Sequence, residues 1–275
     1  MQSRLAILIE NTAPIPGLIG EFGFSVYLNW QGQSFLLDTG NQGHILANAR
    51  VMGIDLQQLA GVVISHGHFD HVGGLPYLLE MKGETPIYLH PQALDNKLAK
   101  TGETTYTDIG FTRNRDELER MGAIFYPDDK PRELAPGLIL AGTIPRIYSW
   151  EDTGGPFYLA PGEPDPLYDD QALIIDSNDG LLVVSGCAHS GMANTAAYAR
   201  SLFPGKSIKA YIGGTHLISA SPERLRLTRD AINELEIQEV VACHCTGFAA
   251  TAYLYRELGP ARLTKGECGY TRMIG

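Results

Sequence analysis

An apolar run that ends abruptly in metal-binding side chains constrains this chain more than any other feature. Val62-Val63-Ile64-Ser65 leads into His66-Gly67-His68-Phe69-Asp70-His71, and Val72-Gly73-Gly74-Leu75 follows. The pattern predicts a buried strand, a tight ligand-rich loop and then a helix. Residues i and i+2 of an extended segment point to one side. His66 and His68 therefore converge on one point, with Gly67 leaving room between them. Asp70 and His71 come after the chain has begun to turn and face a second point close by. Neutral imidazole nitrogens suit Zn, Fe, Mn or Ni, and a carboxylate adds a hard anionic ligand. The bland alternative is a histidine-rich surface loop, and an apolar strand leading straight in argues against it.

Three further histidines share that grammar of apolar strand, small residues, histidine and helix. His189 follows Leu181-Leu182-Val183-Val184-Ser185-Gly186-Cys187-Ala188, His216 follows Tyr211-Ile212-Gly213-Gly214-Thr215, and His244 follows Val240-Val241-Ala242-Cys243. Ligand sites gather at strand ends in layered sheets, which makes His189 and His244 metal candidates and His216 a weaker one. His44 and His90 fit no such grammar. Cys243 and Cys245 flank His244, and strand alternation turns both away from a metal that His244 faces, so core packing is expected for them. The role of Cys187 stays open. Asp38, at the end of Leu36-Leu37-Asp38-Thr39-Gly40, suits an acceptor for a ligand imidazole or an ordinary Asx turn.

Strands are expected at 4–9, 21–28, 34–40, 62–65, 85–90, 122–126, 138–141, 145–148, 172–176, 181–185, 208–212, 239–242 and 269–274. Helices are expected at 44–52, 74–82, 91–99, 113–121, 191–203, 221–236 and 247–258, with Ser221 as N-cap and Pro222 in the first turn. Strands alternating with helices give an α/β or α+β layered fold. A single domain over 1–275 is expected, with a lid or insertion at about 100–170. Trp150 to Pro166, rich in Gly, Pro, Asp and Glu, reads as a lid or as a solvated excursion.

A net charge of −10 argues against a nucleic-acid partner. No apolar run nears the roughly twenty residues of a membrane span, and no signal peptide is recognised. Four cysteines are few for a disulfide scaffold, so a cytoplasmic location is expected. Gly205-Lys206-Ser207 lacks the earlier glycine of a P-loop, and neither a Gly-x-Gly-x-x-Gly nor a Gly-x-Ser-x-Gly motif is present.

His66-x-His68-x-Asp70-His71 resembles the signature of the metallo-β-lactamase superfamily. The resemblance implies a four-layer αββα sandwich with a one- or two-metal site, His189 and His244 as later ligands, and Asp38 beside a ligand imidazole. It also implies a bridging aspartate between His189 and His244, where this chain has Ile212-Gly213-Gly214-Thr215-His216, which leaves two alternatives: His216 compensates for that carboxylate, or the second metal is weak or exchangeable. The segments around Glu21, Asp38, Asp170, Cys187, Gly213 and His244 further resemble a subgroup. It holds the dihydropterin–ribofuranosylaminobenzene-phosphate synthase and uncharacterised bacterial relatives. Glu21 and Asp170 are carried over from that subgroup as metal or near-metal residues.

The expected cofactor is Zn2+, one or two ions, with Mn2+ or Fe2+ as alternatives. The expected activity is hydrolysis of a small anionic or phosphorylated substrate by metal-bound hydroxide, with Asp70 as ligand and as the group orienting that hydroxide. One alternative is a metal-dependent transferase that joins a pterin methyl diphosphate to an aminobenzene riboside phosphate and releases diphosphate. The other is a non-catalytic metal- or ligand-binding protein. Arg113, Arg115, Arg146 and Lys265 are cations that an anionic substrate could use.

Overall fold

The computed structural model describes residues 3–275. The chain opens with an antiparallel meander, β1 (Ser3–Ile9), β2 (Ser25–Trp30) and β3 (Gln33–Leu37). The β2–β3 turn is Gln31-Gly32, both at positive φ, the backbone twist that a two-residue hairpin needs. Helix α1 (Ile45–Val51) leads to β4 (Leu59–Val63), parallel to β3. Helices α2 (Phe69–Val72) and α3 (Leu75–Lys82) lead to β5 (Thr85–Leu89), parallel to β4.

The short strands β6 (Leu98–Lys100) and β7 (Tyr106–Asp108) leave this sheet. After α4 (Arg115–Arg120), β8 (Ala123–Pro127) rejoins it beside β5. Strands β9 (Arg132–Ala135) and β10 (Leu138–Leu140) begin a second sheet, whereas β11 (Phe157–Ala160) and β12 (Glu163–Pro164) pair with β6 and β7 in a small four-stranded one. The hairpin β13 (Ala172–Ser177) and β14 (Gly180–Ser185) then opens a parallel series. It runs through α5 (Met192–Leu202), β15 (Ile208–Gly213), α6 (Pro222–Glu234), β16 (Val240–Ala242), α7 (Phe248–Leu258) and β17 (Leu263–Lys265). The last strand, β18 (Thr271–Ile274), edges the first sheet.

The chain divides into two compact units. One comprises Met1–Asp129, Phe157–Asp165 and Glu267–Gly275; the other comprises Lys130–Pro156 and Pro166–Gly266. The first holds the sheet β18-β1-β2-β3-β4-β5-β8, the second β17-β16-β15-β14-β13-β10-β9. Each is antiparallel at one side and parallel at the other, because a helix must cross over between parallel neighbours. In the first unit Ala6, Leu8, Leu36 and Val62 pack with Ile45, Ala49, Leu75 and Leu78 of α1 and α3. In the second, Ile174, Val183 and Val240 pack with Met192, Ala196, Ile232 and Leu254. Opposite-face residues such as Ile7, Leu37, Val63, Leu182 and Val241 are buried too. Burial on both faces is why these strands read as continuous apolar runs rather than as alternation.

Three expectations are corrected. Residues 91–99 are not a helix. His90 Nδ1 caps a single 3-10 turn at Pro91–Leu94 by accepting from Gln92 N at 3.2 Å, and β6 follows. Residues 145–148 form no strand, because the N–H groups of Ile147 and Tyr148 both donate to Asn194 Oδ1, each at 2.8 Å. Trp150 to Pro166 is likewise not one loop, since β11 and β12 lie within it.

Candidate metal centre

Asp38, Asp70 and all the candidate ligand histidines sit just past the carboxyl end of a strand that has a parallel neighbour, the rim where open α/β sheets place ligands, whereas Glu21 and Asp170 precede β2 and β13. In the first unit Asp38 follows β3 and the histidine motif follows β4. The His66 and His68 rings lie 4.5 Å apart between centroids, and those of His66 and His71 lie 4.2 Å apart. Asp70 Oδ2 is 3.7 Å from His71 Nε2. All four residues are buried. The segment is not extended as expected, since β4 stops at Val63 and α2 starts at Phe69. Gly67 serves a different end from the one expected: a Cβ there would lie 2.1 Å from Ala93 O, so only glycine lets the Pro91–Leu94 turn close on the loop.

Asp38 organises the motif from inside. It is fully buried and accepts from Ser65 N, Ser65 Oγ and His71 Nδ1, each at 2.7 Å. Ser65 Oγ, having donated to Asp38, accepts from His66 Nδ1 at 2.9 Å. A carboxylate and a spent hydroxyl both require a proton on Nδ1, which fixes the tautomer of His71 and His66 and leaves Nε2 as the coordinating nitrogen. His68 packs at 4.9 Å from the Phe157 ring of β11.

In the second unit, His189 follows β14, His216 follows β15 and His244 follows β16. The His189 and His216 rings are 4.4 Å apart. His189 Nδ1 lies 2.7 Å from Thr153 O, and a carbonyl can only accept, so His189 also offers Nε2. The donor atoms of Cys187, His189 and His216 lie within 4.8 Å of one another, and so do those of Cys187, His244 and Cys245. Asp38, Ala188, His216 and His244 all hold positive φ, at 59°, 58°, 46° and 50°. That conformation costs about 1–2 kcal/mol per non-glycine residue, and strain of this kind concentrates at functional sites.

The left-handed turn at His244 breaks strand alternation. Cys245 is therefore brought to the His244 side rather than away from it, and it accepts from His216 N at 3.3 Å. Burial pushes the Cys245 thiol up, but the contacts with Cys187, His216 and His244 outweigh burial and bring it below the ordinary thiol range. Asp170 is buried and accepts from Ser190 N at 2.8 Å, fixing the loop that carries His189. Burial raises its carboxyl to about 6 against the pull of the Ser190 and His189 backbone. Glu21 accepts from Asn41 N at 2.7 Å and pairs with His44 Nδ1 at 2.6 Å, which places it beneath the loop after Asp38.

Residues 19–244 match the metallo-beta-lactamase superfamily. The chain belongs to that superfamily. The fold is accordingly the mixed α/β one that the histidine motif implied. The chain is 30% identical over 237 residues to the 7,8-dihydropterin-6-methyl-4-(beta-D-ribofuranosyl)-aminobenzene-5'-phosphate synthase of Methanocaldococcus jannaschii, covering 83% of this chain and 81% of that one. It is 27% identical over 255 residues to an uncharacterised protein of the same organism, covering 91% and 93%. Among solved structures it resembles Tm1679, a metal-dependent hydrolase of the beta-lactamase superfamily, at 28% identity and a TM-score of 0.85, over 99% of each chain. Metallo-beta-lactamase family membership implies a divalent metal. The donors present fit one: buried imidazoles with fixed tautomers, a carboxylate and thiols.

Some residues of this site escaped the sequence reading. Glu151 Oε1 and Oε2 accept from Ala193 N and Asn194 N at 3.0 and 2.8 Å, in the first turn of α5. Arg224 reaches Glu151 at 3.4 Å and stacks over Trp150. This pins the segment whose Thr153 carbonyl holds His189. A Cβ on Gly191 would lie 2.0 Å from Glu151 Oε2, so only glycine lets the carboxylate reach the start of α5. Arg146 donates to the Pro166 and Leu167 carbonyls and Arg115 pairs with Glu119, which leaves neither an obvious substrate cation. Arg113 lines a cavity of about 450 Å3 with Gln42, Tyr77 and Thr112.

Proposed function

We propose that the chain is a metal-dependent hydrolase of small anionic or phosphorylated substrates. His66, His68, Asp70, His71, His189 and His244 are its metal ligands, with His216 as a further candidate. The observation that carries this is the pairing of superfamily membership with buried imidazoles whose Nδ1 atoms are already committed: His71 to Asp38, His66 to Ser65 and His189 to Thr153. The likeness to Tm1679 over nearly all of both chains supports hydrolysis. Zn2+ is the proposed metal, since neutral imidazoles dominate the donor set. The superfamily match spans both compact units, so residues 1–275 are taken to act as one functional domain. No helix among the described residues is long and apolar enough to cross a membrane, and a cytoplasmic location fits the few cysteines.

When bound, the metal lowers the pKa of a water toward neutrality and polarises a phosphoryl or carbonyl oxygen. The protein's part is positional. Asp38 and Ser65 lock the His71 and His66 rings. Thr153 locks His189. Asp70 Oδ2 orients the attacking water and takes up its proton. A positioned general base contributes about 10²–10⁴-fold, which is the loss expected in Asp70→Asn.

A second reading is transfer to an organic acceptor, favoured by the 30% identity to the synthase. The decisive experiment follows turnover of the zinc-loaded protein in 18O-labelled water on phosphate esters, and on a pterin methyl diphosphate together with an aminobenzene riboside phosphate acceptor. Label in the released phosphate or alcohol identifies hydrolysis. A joined pterin–aminobenzene product without label identifies transfer. A metal-loaded protein inert to both would indicate a binding protein.

A further inference from the structure

The thiols of the second unit have no part in the hydrolase reading. Cys187, Cys243 and Cys245 are all buried there. Cys243 Sγ is turned to its own strand, 3.5 Å from Val241 O. Cys187 and Cys245 stand among imidazoles. The Cys187 donor lies within 4.8 Å of those of His189 and His216 on one side, and of His244 and Cys245 on the other. Zn–S and Zn–N bonds of about 2.3 and 2.0–2.1 Å put tetrahedral donors roughly 3.5 Å apart, so small side-chain rotations suffice to close either set.

Room has been made for the sulfur. A Cβ on Gly214 would lie 2.6 Å from Cys245 Sγ, and the His216 N–H points at that sulfur from 3.3 Å, a bond that favours a thiolate. The turn after β15, Gly213-Gly214-Thr215-His216, offers no carboxylate. Glu151 is engaged with the first turn of α5, and Asp170 takes Ser190 N on Oδ2 and falls in none of these donor groups.

We propose that Cys187 is a thiolate metal ligand shared between the two donor sets, with Cys245 completing the His244 side. The proposal rests on the metal-dependent reading above. Each thiol gives its proton to solvent as the metal enters. A mixed nitrogen and sulfur site of this kind prefers Zn2+, Co2+ or Cd2+ to Mn2+ or Mg2+.

The test is the absorption spectrum of the full chain loaded with Co2+, with metal content measured in parallel. A sulfur-to-cobalt charge-transfer band is expected in the unaltered protein. Cys187→Ser should lose more than half of it and Cys245→Ser a smaller part, while Cys243→Ser leaves it unchanged. Full cobalt uptake without a sulfur band, a band unaffected by Cys187→Ser, or recovery of Cys187 and Cys245 as a disulfide from native protein would overturn the proposal and leave the hydrolase reading standing. Should Cys187→Ser fail to fold, X-ray absorption on the zinc-loaded unaltered protein decides. A sulfur shell at about 2.3 Å supports the assignment, and a shell of nitrogen and oxygen alone overturns it. Failure to take up either metal would overturn both readings.

Discussion

Asp38 Oδ2 lies 2.7 Å from His71 Nδ1, and neither side chain is reached by solvent. The carboxylate also takes two hydrogen bonds from Ser65, one of which relays to His66. One buried anion thus sets the orientation of two imidazoles. Asp38→Asn keeps the shape but places an N–H₂ where one of these donors must be accepted. Metal affinity should fall 10–100-fold, measured by competition with a chromogenic chelator. An unchanged affinity would remove Asp38 from the metal-orienting role.

Glu151 predicts a pH dependence of stability. Burial raises its carboxyl from 4.5 to about 7, against the opposing pull of the Asn194 and Ala193 N–H groups and of Arg224. Below about pH 4.5 the group is protonated in both folded and unfolded states, and its contribution is fully present. Between that value and about 7 the unfolded chain releases the proton while the folded chain keeps it, so stability falls as pH rises and levels off above 7. The full excursion is at most roughly 3–4 kcal/mol, from a rise of about 2.5 pH units at 1.36 kcal/mol per unit. Chemical denaturation across pH 4–8 should show this slope in the unaltered protein and a flatter one in Glu151→Gln. Parallel curves would exclude Glu151 as its source.

The histidine motif and the strand-end grammar were legible because burial on both sheet faces writes itself as apolar runs, and these runs stop where the ligands begin. The four-stranded sheet was not legible. Its strands are two to four residues long, and β6 and β11 pair across almost sixty residues of chain. No local pattern records such a pairing. The placement of Cys245 was misread because alternation assumes extended backbone, and His244 leaves it. The support of His189 by Glu151 was invisible because it depends on a lone carboxylate reaching the first turn of a helix forty residues later.

Gly67 makes a sharp prediction about the motif loop. A methyl group there meets Ala93 O at 2.1 Å and cannot be accommodated without moving the Pro91–Leu94 turn. Gly67→Ala should destabilise the fold by about 1–3 kcal/mol, the usual cost of overpacking. It should also weaken metal binding, because His66 and His68 flank the displaced residue. Equilibrium unfolding with and without Zn2+ measures both effects. A variant as stable as its parent, with equal zinc-induced stabilisation, would show that the loop yields freely.

Lys97 Nζ lies 2.9 Å from Asp165 Oδ2, and both side chains are almost wholly buried. Lys97 immediately precedes β6 and Asp165 immediately follows β12, so the ion pair links the start of β6 to the end of β12, on either side of β11, whose Phe157 packs against His68. Removing one member of a buried pair leaves an uncompensated charge and costs about 3–5 kcal/mol, whereas replacing both by apolar groups of similar volume is often neutral. Lys97→Met should therefore be strongly destabilising, and Lys97→Met combined with Asp165→Leu should recover most of the loss. Urea unfolding of the single and double variants completes the cycle. Additive losses would show that the two side chains act independently, and the small sheet would then owe its position to β6–β11 pairing alone.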